Sequence, residues 1–305
     1  MLQQTLHILS DIILPVFLLI GVGAALDRTG KLDLPTLSRL NFYVFVPALV
    51  FVKTVDSPLS LRDLGLIGLF TVLHAGILFA IGWFAFRRGM TKESAPVFIM
   101  GSAFYNAGNF GIPLATFAFG PAGASVMAVV MTVQNFLTFL AGIPLFESRK
   151  RSGLSLLWAL ARNPVILAIV AAFSLRGLGL RLPVQADTAM RYLAGGLIPI
   201  ALLTLGVQLN RNKGGSQASS LALLTTMRLA ISPCIAFGLV KLLPVSPAVG
   251  AVLIAAAGLP MAVNVYILSV QYGQNEDLAS RGVFVSTLLS AVTLSILLVL
   301  LGAPA

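Results

Sequence analysis

Apolar residues dominate this chain in long runs that short polar segments separate. Ten of these runs reach or approach the roughly 20 residues that a helix needs to cross the hydrocarbon core of a bilayer. They lie at residues 8–26, 38–54, 64–86, 95–119, 122–145, 154–175, 190–209, 218–242, 247–272 and 282–303. The pattern predicts an all-α integral membrane protein with ten transmembrane helices, and the lipid bilayer as its first partner.

The runs form two sets of five, in residues 1–150 and 151–305. In each set, a similar segment that contains Gly and Pro follows the first run. In the second run of each set, an arginine lies eight positions before a proline. The fourth runs share a Gly-X-Pro triplet, Gly111–Pro113 and Gly258–Pro260. Because five is odd, the second set must enter the membrane from the opposite side. Inverted repeats with helices interrupted at matching positions are typical of secondary transporters.

Composition and charge support membrane insertion. The chain is 58% hydrophobic and 10% charged, whereas a soluble domain has about 25% charged residues. The chain has a net charge of +10, and its basic residues lie mainly in short loops. Thirteen Lys and Arg fall on one predicted side of the membrane and six on the other. Positive-inside topology explains this better than nucleic-acid binding, which we do not expect. This distribution of basic residues predicts a multi-pass protein of the inner (plasma) membrane with both termini extracytoplasmic.

The fourth run contains the candidate site, because a polar stretch with helix-breaking residues interrupts it. Asn106, Asn109, Gly111, Ile112 and Pro113 lie there, and we treat all five as candidate substrate-binding residues. In lipid, broken backbone is tolerated only where it is buried in protein or lines a wet cavity. We expect a half-helix to begin at Pro113, where free N–H groups and the helix dipole favour an anion. The alternative is a proline kink whose asparagines satisfy the freed carbonyls.

Other polar residues within the runs are further candidates. Pro260 forms the matching break, Asn264 follows it, and Gln134 lies near the middle of the fifth run. Both carboxamides could instead form hydrogen bonds between helices. Arg228 lies inside the eighth run, where it either faces the protein interior or snorkels to the interface; if it faces the cavity, it could pair with a carboxylate.

Signatures of catalysis are missing from the sequence. The chain has two histidines and one cysteine, and no Walker loop, HExxH or GxSxG sequence. We therefore expect no enzyme, no cofactor and no bound metal. The alternatives are a carrier, a membrane receptor or scaffold that binds a ligand without moving it, and an intramembrane enzyme, which is the least supported.

Four stretches resemble the auxin efflux carrier family, including its bacterial malate- and malonate-permease-like members. The first is NAGNFGIPLATFAFG, from Asn106 to Gly120. The others are Leu40–Phe51, Gly196–Leu209 and Arg228–Pro233, so the resemblance covers essentially the whole chain.

The resemblance implies an elevator-type secondary transporter that forms a homodimer. Its scaffold would comprise approximately residues 1–57 and 153–212, and its moving domain residues 62–147 and 218–303. Asn106, Pro113 and Pro260 match the residues of the family's helix crossover, whereas Asn109 has no counterpart there. The short segment from Glu147 to Gly153 favours small organic anions such as dicarboxylates over auxin. The alternative function is a non-transporting receptor or scaffold that binds a small ligand in the same cavity.

Overall fold

The computed structural model describes residues 8–30, 32–56, 59–87, 94–138, 140, 143–146, 162–210 and 218–302. These residues are almost entirely helical, and their only β feature is an isolated bridge between Tyr105 and Met261. The α-helices are α1 (Leu14–Gly30), α2 (Leu34–Leu40), α3 (Val46–Val55), α4 (Leu61–Phe86), α5 (Ala95–Ala103), α6 (Ile112–Leu137), α7 (Ile143–Phe146), α8 (Pro164–Gly177), α9 (Val184–Asn210), α10 (Ala218–Thr226), α11 (Ser232–Leu242), α12 (Pro247–Ala257), α13 (Val263–Gln271) and α14 (Glu276–Leu300). Among the same residues, π-helical turns lie at Ile8–Ile13, Asn41–Phe45, Ala107–Gly111 and Met227–Ile231.

Six helical segments of the described chain are long and apolar enough to cross a membrane. They are Leu34–Val55, Leu61–Phe86, Ala107–Leu137, Val184–Asn210, Ala218–Leu242 and Glu276–Leu300. Two shorter apolar helices, α8 and α12, accompany them. An all-helical membrane protein is therefore confirmed, while ten crossings in two inverted repeats stay a prediction.

Gly120 divides α6 into two parts. Its φ of 67° lies in the left-handed region that favours glycine, and Pro121 follows it at once. Proline removes a helical N–H and glycine permits the turn, so the helix direction changes here. The predicted boundary between the fourth and fifth runs falls at this turn.

One group of helices packs around α9. This helix contacts α1 and α3, and α8 packs against α3. Glycines bring α1 and α9 into backbone contact: a Cβ on Gly23 would lie 2.1 Å from the Leu203 carbonyl oxygen, and one on Gly206 would lie 2.0 Å from that of Ile20. Small residues permit such close helix approach in membranes, where van der Waals packing drives association.

A second group contains the broken helices. In it, α4 packs against α5 and α6, α11 against α12, α12 against α6, and α13 against α14. Contacts between the two groups are fewer and include the π turn Ala107–Gly111 against α9. The two groups enclose the site between them.

Candidate functional site

Two helix breaks cross each other at the centre of the second group. Helix α5 ends at Ala103 and α12 ends at Ala257, and extended chain follows each. The Asn106 N–H donates to the Pro260 carbonyl at 2.9 Å, and the Ala262 N–H donates to the Phe104 carbonyl at 3.1 Å. Each break thus satisfies backbone groups of the other, as a low-dielectric environment demands.

The first break lies earlier than the sequence suggested, so the prediction of a half-helix beginning at Pro113 is wrong. The helix resumes at Ala107, and Asn106 is its N-cap, with the Oδ1 atom accepting from the Asn109 N–H at 3.2 Å. A π turn precedes Pro113, where a regular α-turn would press the proline ring against the carbonyl four residues earlier. The cap and the widened turn, rather than the proline, therefore define the start of this half-helix.

A cavity of about 590 Å³ lies beside the crossing, between the two groups of helices. The N-terminal ends of both resumed helices reach it through Asn106, Gly108, Asn109, Ala262, Val263 and Asn264. The second part of α6 contributes Gln134, Asn135 and Thr138, and α13 contributes Gln271. The opposite wall comprises Ser38, Arg39, Asn41, Thr204 and Gln208. The Asn41 Nδ2 atom joins the two helices of this wall by donating to the Thr204 hydroxyl at 3.2 Å.

The predicted site residues fall into two sets. Asn106, Asn109, Gln134 and Asn264 line the cavity. Gly111, Ile112, Pro113, Pro260 and Arg228 are buried behind it. Gly111 is packed tightly at the crossing, since a Cβ there would lie 2.6 Å from a methyl carbon of Leu259.

Sequence reasoning missed the wall that faces the crossing. Asn41, Thr204 and Gln208 are polar residues within apolar runs, which is the one signal that the sequence offered for them. That signal does not tell which side of a helix faces a cavity. Arg39 was placed at the start of the second run and counted among the basic residues that set the topology, but it was not a candidate site residue, although it lines the cavity.

The cavity offers an unused hydrogen-bond donor. The Nδ2 atom of Asn106 is buried without a hydrogen-bond partner. Because the Asn106 Oδ1 atom accepts from a backbone N–H, its Nδ2 atom is the group left to donate. A buried donor without a partner is costly, so the Asn106 side of the cavity suits a ligand that accepts hydrogen bonds. The facing wall holds two buried acceptors without a partner, the Asn41 Oδ1 and Gln208 Oε1 atoms.

Charge around the cavity is positive. Arg39 is the one charged side chain among the described residues that line it, and none of those residues is Asp or Glu. The N-terminal ends of two helices add positive partial charge, because their first N–H groups lack partners within the helix. The arrangement suits an anion.

Arg228 faces the protein interior, which is one of the two alternatives that the sequence suggested. Its side chain is completely buried, so it does not snorkel. Its guanidinium carbon lies 5.0 Å from the centre of the Tyr105 ring, and Tyr105 lines the cavity. The ring therefore separates the cation from the cavity. Within the described part of the chain, no three His, Cys, Asp or Glu side chains cluster as a metal site requires.

Comparisons with known proteins show that the chain is similar to membrane transporters. Residues 7–155 and 151–298 match the family model described as "Membrane transport protein". An "Uncharacterized transporter" of Methanothermobacter thermautotrophicus is 28% identical over 293 residues, which is 93% of this chain and 96% of the relative. A "Putative malonate transporter" of Rhizobium meliloti is 26% identical over 310 residues, with 96% of each chain covered. An "Uncharacterized transporter" of Methanocaldococcus jannaschii is 24% identical over 300 residues, covering 94% of this chain and 96% of the relative.

Proposed function

The chain belongs to the membrane transport protein family, as its resemblance to the auxin efflux carriers predicted, and from this premise we propose that it carries small organic anions such as dicarboxylates. The proposed mechanism is that of an elevator-type secondary transporter. The membrane is the inner (plasma) membrane, with both termini extracytoplasmic.

One observation carries the anion part of the proposal. Two helix N-termini, the unpaired Asn106 amide and the Arg39 guanidinium border one cavity whose described lining holds no carboxylate. A carboxylate group would accept from the amide and from free backbone N–H groups, and hydrogen bonds to a charged group are about twice as strong as neutral ones. Ligand sites typically measure ~300–1,000 Å³, so the cavity accommodates a short dicarboxylate with water.

The separation into two groups of helices supports the elevator part. The scaffold comprises α1–α3, α8 and α9, and the moving domain comprises α4–α7 and α10–α14. The cavity lies where these bodies meet, with the crossing on one side and the wall of Asn41 and Thr204 on the other. Reciprocal packing supports the inverted repeat, since α1 contacts α9 and α8 contacts α3. We also propose that the protein forms a homodimer through its scaffold, as the family resemblance implies.

Uptake by proteoliposomes tests the anion proposal. Radiolabelled malonate and malate are offered from outside, with a neutral solute of similar size as the matched control. We expect saturable uptake of at least one dicarboxylate and none of the neutral solute. Uptake of the neutral solute alone would refute anion selectivity, and saturable binding without flux would indicate a receptor or scaffold.

Reversible cross-linking tests the elevator proposal. The Phe17 and Phe110 rings lie 6.1 Å apart and join α1 to the π turn at the crossing. Both residues are replaced by Cys in a Cys234→Ser background, and a short bifunctional methanethiosulfonate links them. We expect the link to stop uptake and its reduction to restore it.

The matched control joins two helices within the scaffold. Arg28 of α1 and Asn210 of α9 are in contact, with 2.8 Å between the Arg28 Nε and Asn210 Oδ1 atoms. A cross-link between cysteines at these positions leaves the moving domain free, so we expect uptake to continue. Full uptake with Phe17→Cys linked to Phe110→Cys would contradict an elevator movement between these helices.

A further inference from the structure

Arg228 joins the two broken helices from the side opposite the cavity. It lies in the π turn Met227–Ile231 and is completely buried. One guanidinium nitrogen donates to the Ser102 carbonyl at 2.6 Å. The other donates to the Ala257 carbonyl at 2.8 Å and also to the Ser232 hydroxyl.

Both carbonyls belong to helix C-terminal turns. Ser102 lies in the last turn of α5, and Ala257 is the last residue of α12. The final carbonyls of a helix have no partner within it and carry the negative end of the helix dipole. The guanidinium therefore neutralises two helix ends that come from opposite halves of the chain.

No carboxylate of the described residues pairs with this cation. Among the ion pairs between described residues, none includes Arg228. Its other neighbours are uncharged oxygen atoms and the Tyr105 ring. Ser232 reinforces the same contact, because its hydroxyl donates to the Ala257 carbonyl at 2.7 Å. The guanidinium is thus held by helix ends rather than by an acidic partner.

Helix C-terminal ends and unwound carbonyls are the groups that coordinate dissociable cations in transporters with broken helices. We propose that Arg228 is a covalently attached substitute for such a cation, so that the crossing forms and binds its anion without Na⁺. The second part of this statement rests on the proposed function. The first part concerns the crossing alone and is tested without transport.

The wild-type protein provides the first test. Thermal unfolding of the purified protein is followed while NaCl is exchanged for choline chloride at constant ionic strength. We expect the midpoint to be the same in both salts, because the cation position is already filled. A Na⁺-specific rise of the midpoint would show a dissociable cation and overturn the proposal.

Removing the guanidinium provides the second test. Arg228→Ala leaves the Ser102 carbonyl without its donor and the Ala257 carbonyl with the Ser232 hydroxyl alone, and we expect the unfolding midpoint to fall by roughly 5–15 °C. Millimolar guanidinium or methylguanidinium should restore part of this loss, whereas urea at the same concentration should not. The matched control is Arg181→Ala, at an exposed arginine, which guanidinium should leave unchanged.

Two further variants keep the test decisive if Arg228→Ala does not fold. Arg228→Met retains the length of the side chain without its charge or donors, and Arg228→Lys retains the charge on one ammonium. We expect both to be less stable than wild type, with Lys the more stable of the two. Wild-type stability of Arg228→Met, or folded Arg228→Ala that guanidinium does not stabilise, would overturn the proposal. Because these readouts are independent of uptake, failure of the transport proposal would not be mistaken for failure here.

Discussion

Asn106 has two separable roles, and substitution can remove one without the other. Its Oδ1 atom caps the resumed helix, and its Nδ2 atom is buried at the cavity without a partner. Asn106→Ser retains an oxygen at the cap but loses the amide donor, because Ser is about as good an N-cap as Asn. Asn106→Ala loses both. The pair of variants therefore distinguishes helix capping from substrate binding.

The expected magnitudes follow from these two contacts. A hydrogen bond to a charged group contributes about 1.5–3 kcal/mol, and tenfold in affinity corresponds to ~1.4 kcal/mol. Both variants should therefore bind malonate roughly 10- to 100-fold more weakly than wild type. Loss of the cap should cost Asn106→Ala about 1 kcal/mol of stability, which Asn106→Ser retains.

Binding is measured by titration calorimetry and stability by thermal unfolding of the same preparations. Wild-type affinity in Asn106→Ser together with weak binding in Asn106→Ala would show that the residue acts only as a helix cap. Wild-type affinity in both variants would show that Asn106 does not contribute to malonate binding.

Three further predictions follow from the structure. Arg39→Gln should weaken malonate binding roughly two- to fivefold, as expected for an exposed ion pair, while Arg39→Lys should not; an equal loss in both would exclude a simple charge effect. Gly23→Ala should destabilise the protein by about 1–3 kcal/mol in thermal unfolding, because its methyl group would overlap the backbone of α9. Gly21→Ala on the same helix meets nothing within 4 Å and is the matched control, so equal losses would refute the packing explanation. Pro113→Ala should leave malonate affinity unchanged in calorimetry, since Pro113 is buried within the resumed helix; weaker binding would restore a direct role for it.

Much of the architecture could be predicted from the sequence because each membrane helix corresponds to a hydrophobic run. The turn at Gly120 falls where the runs suggested, and both broken helices were recognised. The position of the first break was not predicted correctly. Pro260 precedes its resumed helix by three residues, whereas Pro113 follows the start of its own by six. Equating the two prolines therefore displaced one break, because the π turn Ala107–Gly111 lets Pro113 lie within its resumed helix.

The remaining differences concern tertiary contacts that leave no pattern in the sequence. The burial of Arg228 was one of two alternatives, but the only partner considered for it was a carboxylate, and backbone carbonyls accept its hydrogen bonds instead. Any residue supplies a carbonyl, so no residue type signals such a partner. Asn41 and Thr204 likewise became part of the cavity only because α2 and α9 face the crossing. Their side chains alone fit hydrogen bonding between helices equally well.

The crossing arranges four helix ends by polarity. Two N-terminal ends face the cavity, and two C-terminal ends face Arg228, with the Tyr105 ring between the two sides. Both the anion position and the fixed cation belong to the body that is proposed to move. A dissociable cation would leave this body when the substrate leaves, whereas Arg228 stays with it in the loaded and the empty state. It follows that Na⁺ bound at these helix ends would not drive transport, and the energy must come from the substrate gradient or from an ion other than Na⁺ that binds elsewhere.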